Sequence, residues 1–188
     1  VPDAPVITLP ENFTFAEDTS LTEDFSGYVN DADNDNLTLS AVDTEHIHAA
    51  IDGMNVTFST TLANWFGTET MTFEVNDNTG RLIAADTTEI IVTPVNDAPI
   101  LDITGTFEFA EDTSLTEDFS GYISQTWGET DELTLTADNS EHINIDITGS
   151  EVTFTSNTDN WNGTEDITFY LNDNVTRNNR DIVNQTIA

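Results

Sequence analysis

FAEDTSLTEDFSGY, residues Phe15 to Tyr28, occurs a second time without a single change as Phe109 to Tyr122. The offset is 94 residues, half of a 188-residue chain. Self-similarity over such a period marks an array of like modules, each near the usual size of a small domain. The chain therefore divides into two repeats, residues 1–97 with their linkers and residues 98–188.

Outside the duplicated stretch the two halves stay parallel. Val1-Pro2-Asp3-Ala4-Pro5 is echoed by Val95-Asn96-Asp97-Ala98-Pro99, so each repeat is entered through an Asp-Ala-Pro hinge. Proline fixes its own φ and pushes its predecessor toward extended geometry, which predicts a stiff lead into a first strand. Farther on, period 2 takes over: Leu37, Leu39 and Ala41; Ile47, Ala49 and Ile51; Val56 and Phe58; Met71, Phe73 and Val75. Such alternation marks half-buried strands. Asp52-Gly53 supplies turn chemistry for a hairpin between the second and third sets. Repeat 2 copies this at an offset of 96 with Leu133, Leu135 and Ala137, then Ile143, Ile145 and Ile147, then Val152 and Phe154, then Ile167, Phe169 and Leu171. No segment has a helical period. About seven short strands per repeat predict an all-β chain of two tandem immunoglobulin-like antiparallel β-sandwiches. Repeat 1 closes with Glu89-Ile90-Ile91-Val92-Thr93-Pro94, whereas repeat 2 reaches Ile187-Ala188 before any counterpart of Ile90 to Pro94. The expectation is a truncated last strand, or one completed by a neighbouring chain through β-augmentation.

Composition narrows the function. Thirty-six Asp and Glu face three cationic residues, Arg81, Arg177 and Arg180, for a formal net charge of -33. Nucleic acid and anionic membranes need a basic face, so neither is an expected partner. The hydrophobic share of 37% is arranged with regular period, which separates this chain from a disordered acidic one. The absence of cysteine removes disulfides, thiolate metal sites and cysteine nucleophiles together. No run approaches the roughly 20 apolar residues of a membrane span and Val1 begins no signal peptide; the chain reads as a segment of something longer.

After the duplicated stretch, repeat 1 continues Asn30-Asp31-Ala32-Asp33-Asn34-Asp35-Asn36. Three carboxylates at alternate positions converge on one centre if the loop curls, and two unit charges about 4 Å apart repel by roughly 4 kcal/mol at an effective dielectric near 20. The cluster either splays into water as a solvated turn or holds a cation. Calcium suits it, being a hard ion that takes 6 to 8 oxygen ligands. Scarce His and absent Cys count against zinc, copper or iron. An EF-hand is ruled out because its sixth position is Asn36 and its twelfth Val42.

Taken together, Phe-x-Phe-Ala-Glu-Asp-Thr, Asn30-Asp31-Ala32-Asp33 before Leu37-Thr38-Leu39, Phe73-Glu74-Val75-Asn76-Asp77, and Val92-Thr93-Pro94-Val95-Asn96-Asp97-Ala98-Pro99 resemble the bacterial cadherin-like tandem repeats of surface and secreted proteins. The resemblance covers essentially the whole chain. It implies calcium at the boundaries of successive domains. The implied ligands are Glu17 and Glu111 on the first strands, Asn96 and Asp97 in the linker, Asp31 and Asp33 as the Asp-x-Asp pair, and Asp77 and Asp173 after the penultimate strands. Glu69 and Glu165 are nearby candidates for a further acidic motif. Repeat 2 departs from the pattern: Gln125 and Trp127 stand where repeat 1 has Asp31 and Asp33, within a longer loop from Ser124 to Glu132. Glu129 or Asp131 is the substitute.

His46 and His142 hold matching places between Glu and Ile, and no serine or threonine lies in a nucleophile motif beside them, so the expectation is structural rather than catalytic. Trp65 and Trp161 precede the loop glycines Gly67 and Gly163, which predicts packing at a sandwich corner. Trp127 either covers the domain junction in place of a metal ligand or stacks on a sugar. The resulting expectation is a non-enzymatic, calcium-binding, extracellular spacer or adhesion module of a larger bacterial surface or secreted protein. Its expected partners are neighbouring repeats, cell-surface proteins or glycans. A carbohydrate-binding module of a secreted hydrolase and a calcium-independent Ig-like spacer are the alternatives.

Overall fold

The computed structural model describes residues 3–79, 83–175 and the backbone of 182–187. Val1, Pro2 and all three arginines lie outside this set. Two compact units divide the chain, Val1–Val95 and Asn96–Ala188.

The first unit contains β1 (Val6–Ile7), β2 (Asn12–Ala16), β3 (Ser20–Asp24), β4 (Val29–Asn30), β5 (Thr38–Ala41), β6 (Ile47–Asp52), β7 (Asn55–Thr60), β8 (Gly67–Asn76) and β9 (Ile83–Thr93). Its main sheets run in the order β2-β9-β8-β5 and β3-β7-β6, with β1 paired to β4 at one side. Of the alternating positions read from sequence, Leu39, Ile47, Val56, Phe58, Met71, Phe73 and Val75 are buried, and Phe13, Phe25, Ile90 and Val92 join them in the core. The β6–β7 hairpin forms where expected, with Asp52 paired to Asn55 and Gly53 at φ 62°, a backbone state that costs glycine nothing.

The duplicated stretch acquires a specific job. Asp24 caps a 3-10 turn, Phe25–Gly27, its side chain accepting from Ser26 N. The turn drops Phe25 into the core, where its ring lies 4.8 Å from Phe73 and 5.5 Å, edge on, from Tyr28. Asp118, Phe119 and Tyr122 repeat this geometry in the second unit.

That unit contains β10 (Ile100–Leu101), β11 (Ser114–Asp118), β12 (Ile123–Ser124), β13 (Thr134–Ala137), β14 (Ile143–Thr148), β15 (Glu151–Ser156), β16 (Ile167–Asn172) and β17 (Ile182–Ile187). Its sheets are β11-β15-β14 and β13-β16-β17, with β10 on β12. One expectation fails. The duplicated stretch predicts the same first strand in both repeats, yet Thr106 to Ala110 forms no strand, although Asn12–Ala16 does. The reason is nonlocal: β2 exists because Asn12 to Ala16 pair in parallel with Glu89 to Thr93 of β9. In the second unit β17 pairs, among the described residues, with β16 alone, in a register that runs from Ile182 opposite Asn172 to Ile187 opposite Ile167.

Candidate metal centre

The Asp31 loop follows β4, whose short pairing with β1 fixes where it starts. Asn34 takes φ 58°, a left-handed conformation that asparagine tolerates better than most residues, and the chain curls there. Asp31 Oδ1 then accepts from the amides of Asp33 at 2.8 Å and Asp35 at 3.2 Å. One oxygen of each of Asp31, Asp33 and Asp35 lies within 4.8 Å of the others. Asp33 Oδ2 also accepts from Asp3 N at 2.7 Å, so the first hinge borders the same cluster.

A fourth carboxylate comes from the end of β8. Asp77 is fully buried, its Oδ1 accepting from Thr79 N at 2.9 Å. Thr79 Oγ1 donates to Asp35 Oδ2 at 3.0 Å, which ties this segment to the acidic loop. Among the described residues, Asp77 Oδ2 and Asp31 Oδ2 are buried oxygens without a hydrogen-bond partner. Burying an ionised carboxylate oxygen unpaired is costly, and a bound cation removes that cost. An all-oxygen donor set of this size fits a hard divalent ion such as calcium.

Asn78 holds the geometry in place. At φ 59° its Nδ2 donates to Asn36 O at 2.7 Å and Thr38 Oγ1 at 2.9 Å, pinning both ends of the site together. Asn174 does the same in the second unit, donating to Glu132 O at 2.6 Å and Thr134 Oγ1 at 2.8 Å. Sequence reading missed these two residues. The signal was there in the Asn-Asp-Asn triplets 76–78 and 172–174, which recur at the same offset as the strands.

The remaining predicted ligands are placed as follows. Glu17 is buried at 2% exposure and its Oε1 accepts from Val95 N at 2.5 Å. Glu111, its identical counterpart, is exposed. Asp173 is buried; its Oδ2 accepts from Asn96 Nδ2 at 3.0 Å and its Oδ1 from Val175 N at 3.1 Å. In the longer loop, Asp131 N donates to Gln125 Oε1 at 2.9 Å, and Gln125 Nε2 donates to Asp131 O. Gln125 thus closes its loop through neutral contacts where Asp31 does so with a carboxylate. Burial pushes the Glu129 carboxyl up, and the hydrogen bond to Asp131 and its charge push the same way; the Asp97 amide opposes them. Asp97 and Glu129 are therefore adjacent in the second unit.

A second duplicated constellation lies elsewhere. Glu69, near the start of β8, binds Thr44 Oγ1, His46 N at 3.1 Å and His46 Nδ1 at 2.8 Å. The His46 ring stacks on Trp65 at 4.6 Å with a 5° interplanar angle. Ser140, His142, Trp161 and Glu165 repeat it, with the rings 4.9 Å apart and again 5° from parallel. Burial alone would raise the Glu165 carboxyl, but hydrogen bonds from Ser140 and from the His142 amide and ring outweigh it and bring it to about 2. Glu45 and Glu141 complete trios whose donor atoms lie within 4.8 Å, yet the Glu69 and Glu165 oxygens are already engaged by hydrogen bonds. This is a clasp that fastens a turn to β8 or to the Gly163–Asp166 segment. The structural expectation for both histidines and both tryptophans matches it, and the spacing Thr/Ser-Glu-His-Ile with Trp-x-Gly-Thr-Glu is its sequence signal.

Residues 2–93 match the bacterial Ig domain family. The chain is built of Ig-like modules. Among solved structures it is similar to the first two extracellular cadherin domains of human protocadherin-24, with a TM-score of 0.56 at 13% identity over 100% of this chain and 94% of that one. That likeness is one of fold. A variant of endo-fucoidan hydrolase MfFcnA4 from glycoside hydrolase family 107 aligns with 97% of this chain at 18% identity and a TM-score of 0.44. This Ig-like chain spans 28% of that hydrolase's length. No curated protein matches the sequence. No helix in the described residues is long and apolar enough to cross a membrane.

Proposed function

We propose that this chain is a calcium-binding, non-catalytic Ig-like and cadherin-like spacer or adhesion module of an extracellular bacterial surface or secreted protein. The observation that carries the reading is Asp77. A fully buried carboxylate with an unpartnered Oδ2, tied through Thr79 to Asp35 of the Asp31–Asp33–Asp35 cluster, is an arrangement that calcium stabilises and water does not. Asp31, Asp33, Asp35 and Asp77 hold the ion in the first unit, and the Asp3 hinge borders it.

Extracellular calcium modules bind in roughly the 10⁻⁴ to 10⁻³ M range, so the module loads after export and folds more stably outside the cell. The bacterial Ig family match supports that location. The engaged state of His46 and His142 supports a non-catalytic role, because each ring has a carboxylate on Nδ1 and a tryptophan against its face. Calorimetric titration of the chelated protein with calcium tests the reading; heat of binding abolished by Asp31→Asn supports it, and no heat refutes it.

Glycan binding is the second reading, favoured by one residue. Trp127 is 54% exposed, and a flat exposed indole is a stacking surface for a sugar ring. A Trp127→Ala protein that retains binding to a glycan panel refutes it.

A further inference from the structure

Both repeats are entered through an Asp-Ala-Pro segment, but the side chains placed to fasten it differ at matching positions. Pro2, Asp31 and Ala32 in repeat 1 stand where repeat 2 has Asn96, Gln125 and Thr126. Each exchange brings in a neutral hydrogen-bonding side chain. Proline and alanine have no side-chain donor, and an ionised aspartate can only accept.

In the second unit these side chains are all engaged. Asn96 Nδ2 donates at 3.0 Å to Oδ2 of Asp173, a carboxylate only 3% exposed whose Oδ1 accepts from Val175 N. Thr126 Oγ1 donates to Ala98 O at 3.0 Å, so the longer loop holds the entry segment just past Asn96. Gln125 closes that loop with both ends of its amide, accepting from Asp131 N at 2.9 Å and donating to Asp131 O. A buried carboxylate with a donor on each oxygen has its desolvation cost offset by the protein itself. In the first unit the end of β8 offers the matching carboxylate, Asp77, and the loop offers Asp31, Asp33 and Asp35.

We infer that Asn96, Gln125 and Thr126 form an ion-free lock that takes the place of calcium at Asp173, with Asn96 as the residue that decides between the two states. Asn96 presents amide hydrogens to the carboxylate, and their positive end lies where a cation would bind. Calcium therefore acts on the acidic cluster of the first unit, while the entry segment of the second stays fastened with or without it. A carboxylate at position 96 would set like charges side by side and turn the lock into a site that needs a cation. The contrast rests on the calcium reading of the first unit. The lock itself is built of residues of the second unit and is tested there.

The test is amide NMR of the whole chain in chelator and in calcium, for the parent, Asn96→Ala and Asn96→Asp. In the parent, the Asn96 side-chain amide and the backbone amides of 173–175 keep their positions when calcium is added. In chelator, Asn96→Ala speeds hydrogen exchange of the Val175 amide at least ~10-fold, the scale of a lost hydrogen bond to a charged group. Asn96→Asp melts at a lower temperature in chelator, and calcium both restores the melt and moves the amides of 173–175. Because any variant carries the risk of misfolding, the parent spectrum stands as the independent check on the unaltered chain. Parent amides at 173–175 that move with calcium overturn the inference. So does an Asn96→Asp chain with no calcium-induced movement there, or an Asn96→Ala chain with unchanged Val175 exchange. Amides of 31–35 and 77–79 that stay in place refute the calcium reading of the first unit instead, and the two Asn96 variants still decide the lock.

Discussion

Thr79 Oγ1 donates to Asp35 Oδ2 at 3.0 Å while Thr79 N donates to Asp77 Oδ1 at 2.9 Å, so one residue bridges a fully buried carboxylate and an acidic surface loop. The bridge joins two segments 42 positions apart in sequence, the end of β8 and the loop after β4. It fixes the distance between like charges without neutralising them. In the calcium reading proposed above, that unneutralised charge is what draws the ion.

Replacing Asp77 by asparagine separates the two sides of that balance. In chelator the buried negative charge is gone, and the melting temperature of Asp77→Asn equals or exceeds that of the parent; the relief is about 1–3 kcal/mol, the usual scale for an unsatisfied buried polar group. In calcium the parent gains stability and the variant does not. Thermal melts of both proteins in both conditions check this, and a variant that responds to calcium as the parent does contradicts it.

Glu165 supplies a pH test. Its carboxyl falls from the ordinary 4.5 to about 2 in the folded chain because Ser140 and His142 hydrogen bonds outweigh burial. A depressed folded value means the unfolded state binds the proton more readily. The clasp's contribution is therefore complete above about 4.5 and is lost as pH falls toward about 2. The stability difference between the parent and Glu165→Gln should narrow through that window, read by urea melts at neutral pH and at points across it. A difference independent of pH contradicts the clasp.

Gly163→Ala tests the stacked pair behind it. A Cβ at Gly163 would lie 2.6 Å from Trp161 Cζ2, and one at Gly67 would lie 2.9 Å from Trp65 Cζ2. The ring has to move, and overpacking of this kind costs about 1–3 kcal/mol. The expected outcome is a lower melting point together with an altered near-ultraviolet dichroism of the indole. An unchanged spectrum and melt would show that the tryptophan is not held there.

What the sequence makes legible, and what it hides, follows the range of the interactions. Leu39, Val56, Phe58, Phe73 and their copies could be assigned to the core because alternation is a local property of a strand, and Asp52-Gly53 announces its hairpin within two residues. Asp31, Asp33 and Asp35 converge as the spacing suggests. Glu17 and Glu111 show the limit: each sits in the same fourteen-residue stretch, yet one is buried against Val95 and the other exposed, because the difference lies in a strand more than 70 positions away. The Glu69–His46 and Asn78–Asn36 contacts were hidden for the same reason, although their duplication at matching offsets marked the residues involved. Trp127 escapes both kinds of reading, since its loop differs in length and composition from the acidic loop that takes its place in the first repeat.

The central claim is that this acidic Ig-like chain binds calcium at the Asp31 and Asp77 cluster. The most direct measurement is the melting temperature of the intact chain in excess calcium and in chelator, with magnesium as a control. At a calcium concentration 100 times the dissociation constant the account predicts a gain of about 2.7 kcal/mol, seen as an upward shift of several degrees that Asp31→Asn and Asp77→Asn each remove. A melting temperature unchanged by calcium, or a shift that survives in both variants, would contradict it.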